Sequence, residues 1–185
     1  FTLQELQALD AGSWFDEAYA GTTIPTLEEL LMWAQDKMTL NIEIKTEAYR
    51  EVLSESVEPR VVALVEQYDM ADQVLFSSFD YRILARLKEL APSIPAAVLY
   101  EPVQSARKGP LAVVNSLQAD GFNCSVREYS EQWQQELTQS SIPVLIYTIN
   151  EREQMAELIQ RGVQGIFSDY PDVLAEVAAE ELSTP

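Results

Sequence analysis

From residue 40 to the end of the chain, short apolar runs rich in β-branched residues alternate with amphipathic stretches, and no other feature constrains the fold as strongly. Runs at 40–45, 74–78, 96–100, 121–126, 144–149 and 165–168 recur at roughly 20 to 35 residues, the length of one strand-and-helix unit. That pattern predicts an α/β protein whose parallel strands are joined by crossover helices. About six units fit either an open doubly wound sheet or most of an eight-stranded barrel, and their number favours neither.

The helices carry their own start and stop signals. Asp80 is placed to cap a helix bearing Ile83, Leu84, Leu87 and Leu90. Asn150, with Glu153 three positions on, predicts a second helix carrying Met155, Leu158 and Ile159, which Gly162 ends. Pro171 suits the first turn of a terminal helix with Val173, Leu174 and Val177. Upstream of the first strand, Thr2 with Glu5 and Thr26 with Glu29 each form a capping-box pattern. Between them, residues 10–16 form a loop whose Trp14 and Phe15 are expected to pin it in place. No linker-like stretch divides residues 1–185, so one domain is expected: helices and loop over 1–39, strand-and-helix units over 40–178, and a frayed tail over 179–185. The acidic stretch 55–66 reads as a solvated helical face.

Composition narrows the chemistry. The chain has 12 Lys plus Arg against 30 Asp plus Glu, a net charge of −18, one Cys and no His. Without imidazole, these residues supply no Ser-His-Asp or Cys-His catalysis and no His-ligated zinc. The acidic balance argues against nucleic acid as a partner. No apolar run approaches the roughly 18 residues of a membrane span, so membrane insertion is not expected. Cys124 lies in an apolar strand context and reads as a small buried hydrophobe.

In parallel α/β folds, chemistry collects at the carboxyl ends of strands. The run Asn41-Ile42-Glu43-Ile44-Lys45 is the strongest local signal there, because strand alternation puts Asn41, Glu43 and Lys45 on one face. Buried parallel strands are normally apolar on both faces. Glu43 and Lys45 must therefore meet each other, a metal or an anionic ligand. An internal ion pair and a ligand site remain equally open at this point. A lone Glu cannot hold Mg²⁺ or Ca²⁺, which want several oxygen donors.

Three blocks in succession, Asp10-Ala11-Gly12-Ser13-Trp14-Phe15, Ile24-Pro25-Thr26-Leu27-Glu28-Glu29-Leu30-Leu31 and Leu40-Asn41-Ile42-Glu43-Ile44-Lys45, resemble the glycerophosphodiester phosphodiesterase family. Phe76-Ser77-Ser78-Phe79-Asp80, Tyr147-Thr148-Ile149-Asn150 and the stretch 162–171 are similar to its later strands. The resemblance implies a TIM-type (β/α)8 barrel, of which this chain carries strands three to eight and lacks the first two. It implies hydrolysis of glycerophosphodiesters to glycerol 3-phosphate and an alcohol, with a divalent metal, Mg²⁺ or Ca²⁺, as cofactor.

Carried over position by position, the resemblance makes Glu43 a metal ligand, Lys45 a phosphate contact, and Tyr147 and Phe79 walls of the substrate pocket. The family's two catalytic His motifs have no counterpart here, so no catalytic residue is assigned and the chain by itself is expected to be inactive. The same comparison places the start of the chain after those motifs and suggests a cytoplasmic location. The alternative is a non-catalytic barrel relative acting as a binding or structural module. Its open sheet edges would then favour homo-oligomers. Asp169, before Tyr170 and Pro171, reads as a turn residue.

Overall fold

The computed structural model describes residues 1–183. Six parallel strands, β1 (Leu40–Glu43), β2 (Val74–Ser78), β3 (Ala96–Leu99), β4 (Gly121–Ser125), β5 (Val144–Tyr147) and β6 (Gly165–Ile166), form one curled sheet in strictly sequential order. Sequential order resolves what strand number left open. A doubly wound sheet reverses direction at a switch point, whereas a barrel adds each strand beside the last. Helices α3 (Glu58–Gln67), α4 (Tyr81–Leu90), α5 (Pro110–Leu117), α6 (Glu131–Gln139) and α7 (Arg152–Gln160) make the crossovers, and α8 (Pro171–Leu182) follows β6.

Register assigns the two faces of the sheet. The partners Ile42–Phe76–Ala96, Val98–Phe122–Val144 and Cys124–Ile146 share the face packed under the helices. There they meet Ile83, Leu84 and Leu87 of α4, Val113 and Val114 of α5, and Met155 and Leu158 of α7. Each such side chain, once fully buried, contributes about 1.5–3 kcal/mol of transfer free energy. Phe122 sits at the centre of an aromatic cluster, its ring 5.6 Å from both Tyr100 and Trp133.

The concave face is different in kind. Glu43, Ser77, Ala97 and Gly121 are register partners along one row, and Leu99, Asn123, Leu145 and Gly165 along the next. Glycine is required at 165 by close approach: a Cβ there would lie 2.9 Å from Leu145 Cγ. Ser77 and Asn123 are fully buried. Among the described residues, neither Ser77 Oγ nor either amide atom of Asn123 has a hydrogen-bond partner.

Both capping boxes form, on α1 (Leu3–Gln7) and α2 (Leu27–Ala34), and Asp80 caps α4 by accepting from Arg82 N. Three expectations are corrected and a fourth is refined. Asn150 does not cap α7; that helix starts from Glu151 without a side-chain cap, and Asn150 instead bonds Ser168 and Asp169. The acidic stretch 55–66 is not wholly solvated, because Glu58 is fully buried beside Arg86. The terminal helix runs through Leu182, so most of the expected tail is helical, while residues 184–185 lie outside the described residues. Trp14 and Phe15 stay 81% and 71% exposed, so they tie their loop by local contacts, Trp14 Nε1 donating to Ala11 O at 2.8 Å and Phe15 meeting the Tyr19 ring, and not by burial. Asp10 holds the same loop, accepting from Gly12 N, Ser13 N, Ser13 Oγ and Gly21 N, bonds that hold its carboxyl well below the usual range.

Candidate functional site

Of the polar side chains on the concave face, Glu43 reaches solvent at the carboxyl end of the sheet. A cleft of about 200 Å³ opens there between β1 and β5. Asn41, Glu43 and Thr148 are its polar lining; Phe79, Leu99, Tyr147 and Phe167 are its apolar wall. A larger hollow, about 540 Å³, lies on the flank between α6 and α7. No strand end converges on it, and its lining of Gln, Glu, Thr and one Arg is that of an ordinary helix surface.

Glu43 reaches the cleft because β1 alternation turns it to the concave face, opposite Ser77 of β2. β1 stops at Glu43, two residues earlier than its apolar pattern suggested, and Lys45 stands on the outgoing loop. Lys45 Nζ donates to Glu43 Oε1 at 2.8 Å, with the two side chains 69% and 28% exposed. The pair is therefore not the buried ion pair that sequence reasoning kept open. In water such a pair contributes only about 0–1 kcal/mol, so it does not hold the fold together. An ammonium has three donors, and Glu43 is the one partner Lys45 has among the described residues.

Tyr147 and Phe79 meet edge to face across the cleft, with ring centroids 6.1 Å apart, and Tyr147 meets Phe167 in the same way at 6.2 Å. Burial pushes the Tyr147 phenol above its ordinary value, so it stays neutral at physiological pH. Glu43, Phe79 and Tyr147 thus share one cleft, with Lys45 tied to its rim. Sequence reasoning missed Phe167, Leu99 and Thr148 as lining residues. Phe167 could have been found by continuing the alternation of β6 past Ile166. Other strand-end residues turn elsewhere: Tyr100 packs among the helices, 4.9 Å from the Trp133 ring, and Asn150 and Asp169 bond each other.

The donors do not make a metal site on their own. Among the described residues, no three His, Cys, Asp or Glu side chains converge closely enough to hold an ion. Glu43 offers one carboxylate, whereas Mg²⁺ and Ca²⁺ take six or more oxygens. No described helix is long and apolar enough to cross a membrane.

A sequentially ordered parallel sheet with a cleft at its strand ends defines a barrel-type α/β protein, and that cleft is the candidate site. The chain belongs to the glycerophosphoryl diester phosphodiesterase family, whose sequence model matches residues 1–173. YhdW of Bacillus subtilis (strain 168) is 32% identical over 98% of this chain and 73% of its own length. The glycerophosphodiester phosphodiesterase of Caldanaerobacter subterraneus subsp. tengcongensis is 30% identical over 94% of this chain and 70% of its own. The solved structure of an Oleispira antarctica phosphodiesterase, in complex with its product sn-glycerol-3-phosphate, superposes with a TM-score of 0.78 at 28% identity, covering 96% of this chain and 70% of that one.

Proposed function

We propose that the strand-end cleft binds a glycerophosphodiester, which the intact protein hydrolyses to glycerol 3-phosphate and an alcohol. One observation carries this reading: Glu43, which holds the Lys45 ammonium at 2.8 Å, shares a single cleft with a three-ring aromatic wall. Lys45 binds a phosphate oxygen as a compact point charge. Phe79 and Tyr147 cover the carbon face of the glycerol and keep bulk water from it. The product seen in the Oleispira antarctica relative is of the ligand class this lining suits.

Glu43 is the carboxylate we assign to a divalent cation, Mg²⁺ or Ca²⁺. Because one donor does not make a site, the reading rests on Lys45 and the aromatic wall and not on an ion. Proton transfer at the attacking and leaving oxygens needs groups these 185 residues do not offer as imidazole. General acid–base catalysis contributes about 10²–10⁴ in rate, so this chain is expected to bind the ligand class with negligible turnover. A second reading, a non-catalytic module that self-associates, draws on one feature: β1 and β6 each have a strand neighbour on one side only among the described residues.

Calorimetric titration with sn-glycerol 3-phosphate tests the proposal. Replacing Lys45 with Met removes a charged hydrogen bond and is expected to weaken binding by about tenfold or more. Equal affinity of Lys45→Met and the parent chain would remove Lys45 from the site, and glycerophosphocholine hydrolysis by these residues alone would overturn the expected inactivity.

A further inference from the structure

The loop leaving β1 carries Lys45 and has little structure of its own. Its two three-residue 3-10 turns, Thr46–Ala48 and Leu53–Glu55, both lack side-chain caps. Its own Arg50 Nη1 donates to Glu47 O at 2.9 Å and Tyr49 O at 2.7 Å, and groups from β2 and α4 anchor it from outside. On the strand side, the buried Ser78 Oγ donates to Ile44 O at 2.6 Å and accepts from Asp80 N at 3.0 Å. On the far side, Arg86 donates through Nη2 to Glu51 O at 2.8 Å and Tyr49 Oη at 3.2 Å, and through Nη1 to Ser56 Oγ at 3.1 Å and to Arg50 O. Buried Glu58 lies 3.5 Å from the same Nη1.

Between these two anchors, Arg82 grips the Asp80 carboxylate through Nε at 2.9 Å and Nη2 at 2.7 Å. Its Cζ stands 3.8 Å from the centre of the Tyr49 ring, and that of Arg86 4.4 Å. The contacts close a ring from Ile44 through Ser78, Asp80, Arg82 and Tyr49 to Arg86. Inside it, Lys45 O accepts from Ala48 N and Thr46 O from Tyr49 N, both at 3.0 Å. The backbone of Lys45 is thus tied immediately before it and four residues after it.

We propose that Arg86 is a positioning residue for Lys45: by bonding Tyr49 and the carbonyls of residues 50 and 51, it fixes the loop conformation that sets the ammonium at the cleft rim. The inference rests on the reading of Lys45 as the phosphate contact. A guanidinium suits this task because its donors form a rigid fork that matches one arrangement of acceptors, whereas an ammonium satisfies many. Arg86 does not line the cleft, so its influence on a ligand has to pass through the loop.

The test uses the 185-residue protein with sn-glycerol 3-phosphate as probe. Affinity is measured for Lys45→Met, Arg86→Met, Arg86→Lys, Tyr49→Phe and the Lys45→Met/Arg86→Met double variant, with amide hydrogen exchange over residues 46–57. Misplacing a binding group by about 1 Å can cost ~100-fold in rate, and a loss of about tenfold in affinity is expected for Arg86→Met. Arg86→Lys should not restore it, and the double variant should bind no more weakly than Lys45→Met alone. Loop amides should lose protection while those of β2 to β4 keep theirs. Tyr49→Phe removes one hydroxyl and retains the ring, so its smaller weakening decides the matter if Arg86→Met does not fold.

If Lys45→Met weakens binding but Arg86→Met and Tyr49→Phe do not, or if the losses simply add, the positioning role is wrong. If Lys45→Met itself has no effect, the phosphate reading fails, and with it the role assigned to Arg86.

Discussion

Replacing Asn123 with Leu should make this protein more stable. The side chain is fully buried on the concave face, between Leu99 and Leu145 in register, and neither amide atom has a protein partner among the described residues. A buried polar group left unpaired costs about 1–3 kcal/mol, so two such atoms set a ceiling of about 2–6 kcal/mol. Leu has the branching of Asn but a larger volume, and overpacking of this kind costs about 1–3 kcal/mol. A net gain of about 1–3 kcal/mol is expected, which for a chain of this size raises Tm by about 2–4 °C per kcal/mol. Thermal melts followed by near-ultraviolet circular dichroism read this directly, with Asn123→Ala as the control that leaves a void and should melt lower than the Leu variant. A fall in Tm for Asn123→Leu would refute the reasoning. It would mean that the amide is hydrogen-bonded in solution and that the concave layer is polar by need.

Two further expectations follow from burial and charge. Burial pushes the Cys124 thiol up to about 12, and Glu128 nearby adds to the shift, so a disulfide reagent at pH 8 should leave the native protein unmodified and label it only on unfolding. Reaction at the native state's own rate would show that β4 opens. The hydrogen bond from Arg82 holds the Asp80 carboxyl below its ordinary value of 3.8. Its stabilising contribution is therefore complete above that value and is lost as pH falls below it. Acid titration of the parent chain should show a loss of stability in that window that Asp80→Asn lacks, and identical acid profiles would remove Asp80 from the account.

How much of this was legible from residues alone depends on the range of the interaction. The paired Thr and Glu of both capping boxes, the Asp80 cap and the Pro171 start act within one helical turn, and all four are in place. Asn150 has the same local credentials and fails, because Ser168 and Asp169 at the end of the neighbouring strand compete for it. Glu58 lies in a stretch that reads as solvated. It is buried because Arg86, far away in sequence, comes to meet it.

By itself the sequence determined the alternation of strand and helix, the face of β1 on which Asn41 and Glu43 stand, the family, and the lack of any imidazole to move a proton. The family rests on the resemblance of successive motifs, and the rest on backbone periodicity and composition, none of which depends on where other segments lie. Only the tertiary structure decided the sequential strand order, the convergence of Glu43, Phe79, Tyr147 and Phe167 on one cleft, the exposure of the Glu43–Lys45 pair, and the ring of contacts that ties the Lys45 loop to α4. Each of these joins residues from different strand-and-helix units, and their meeting is set by the curl and register of the whole sheet.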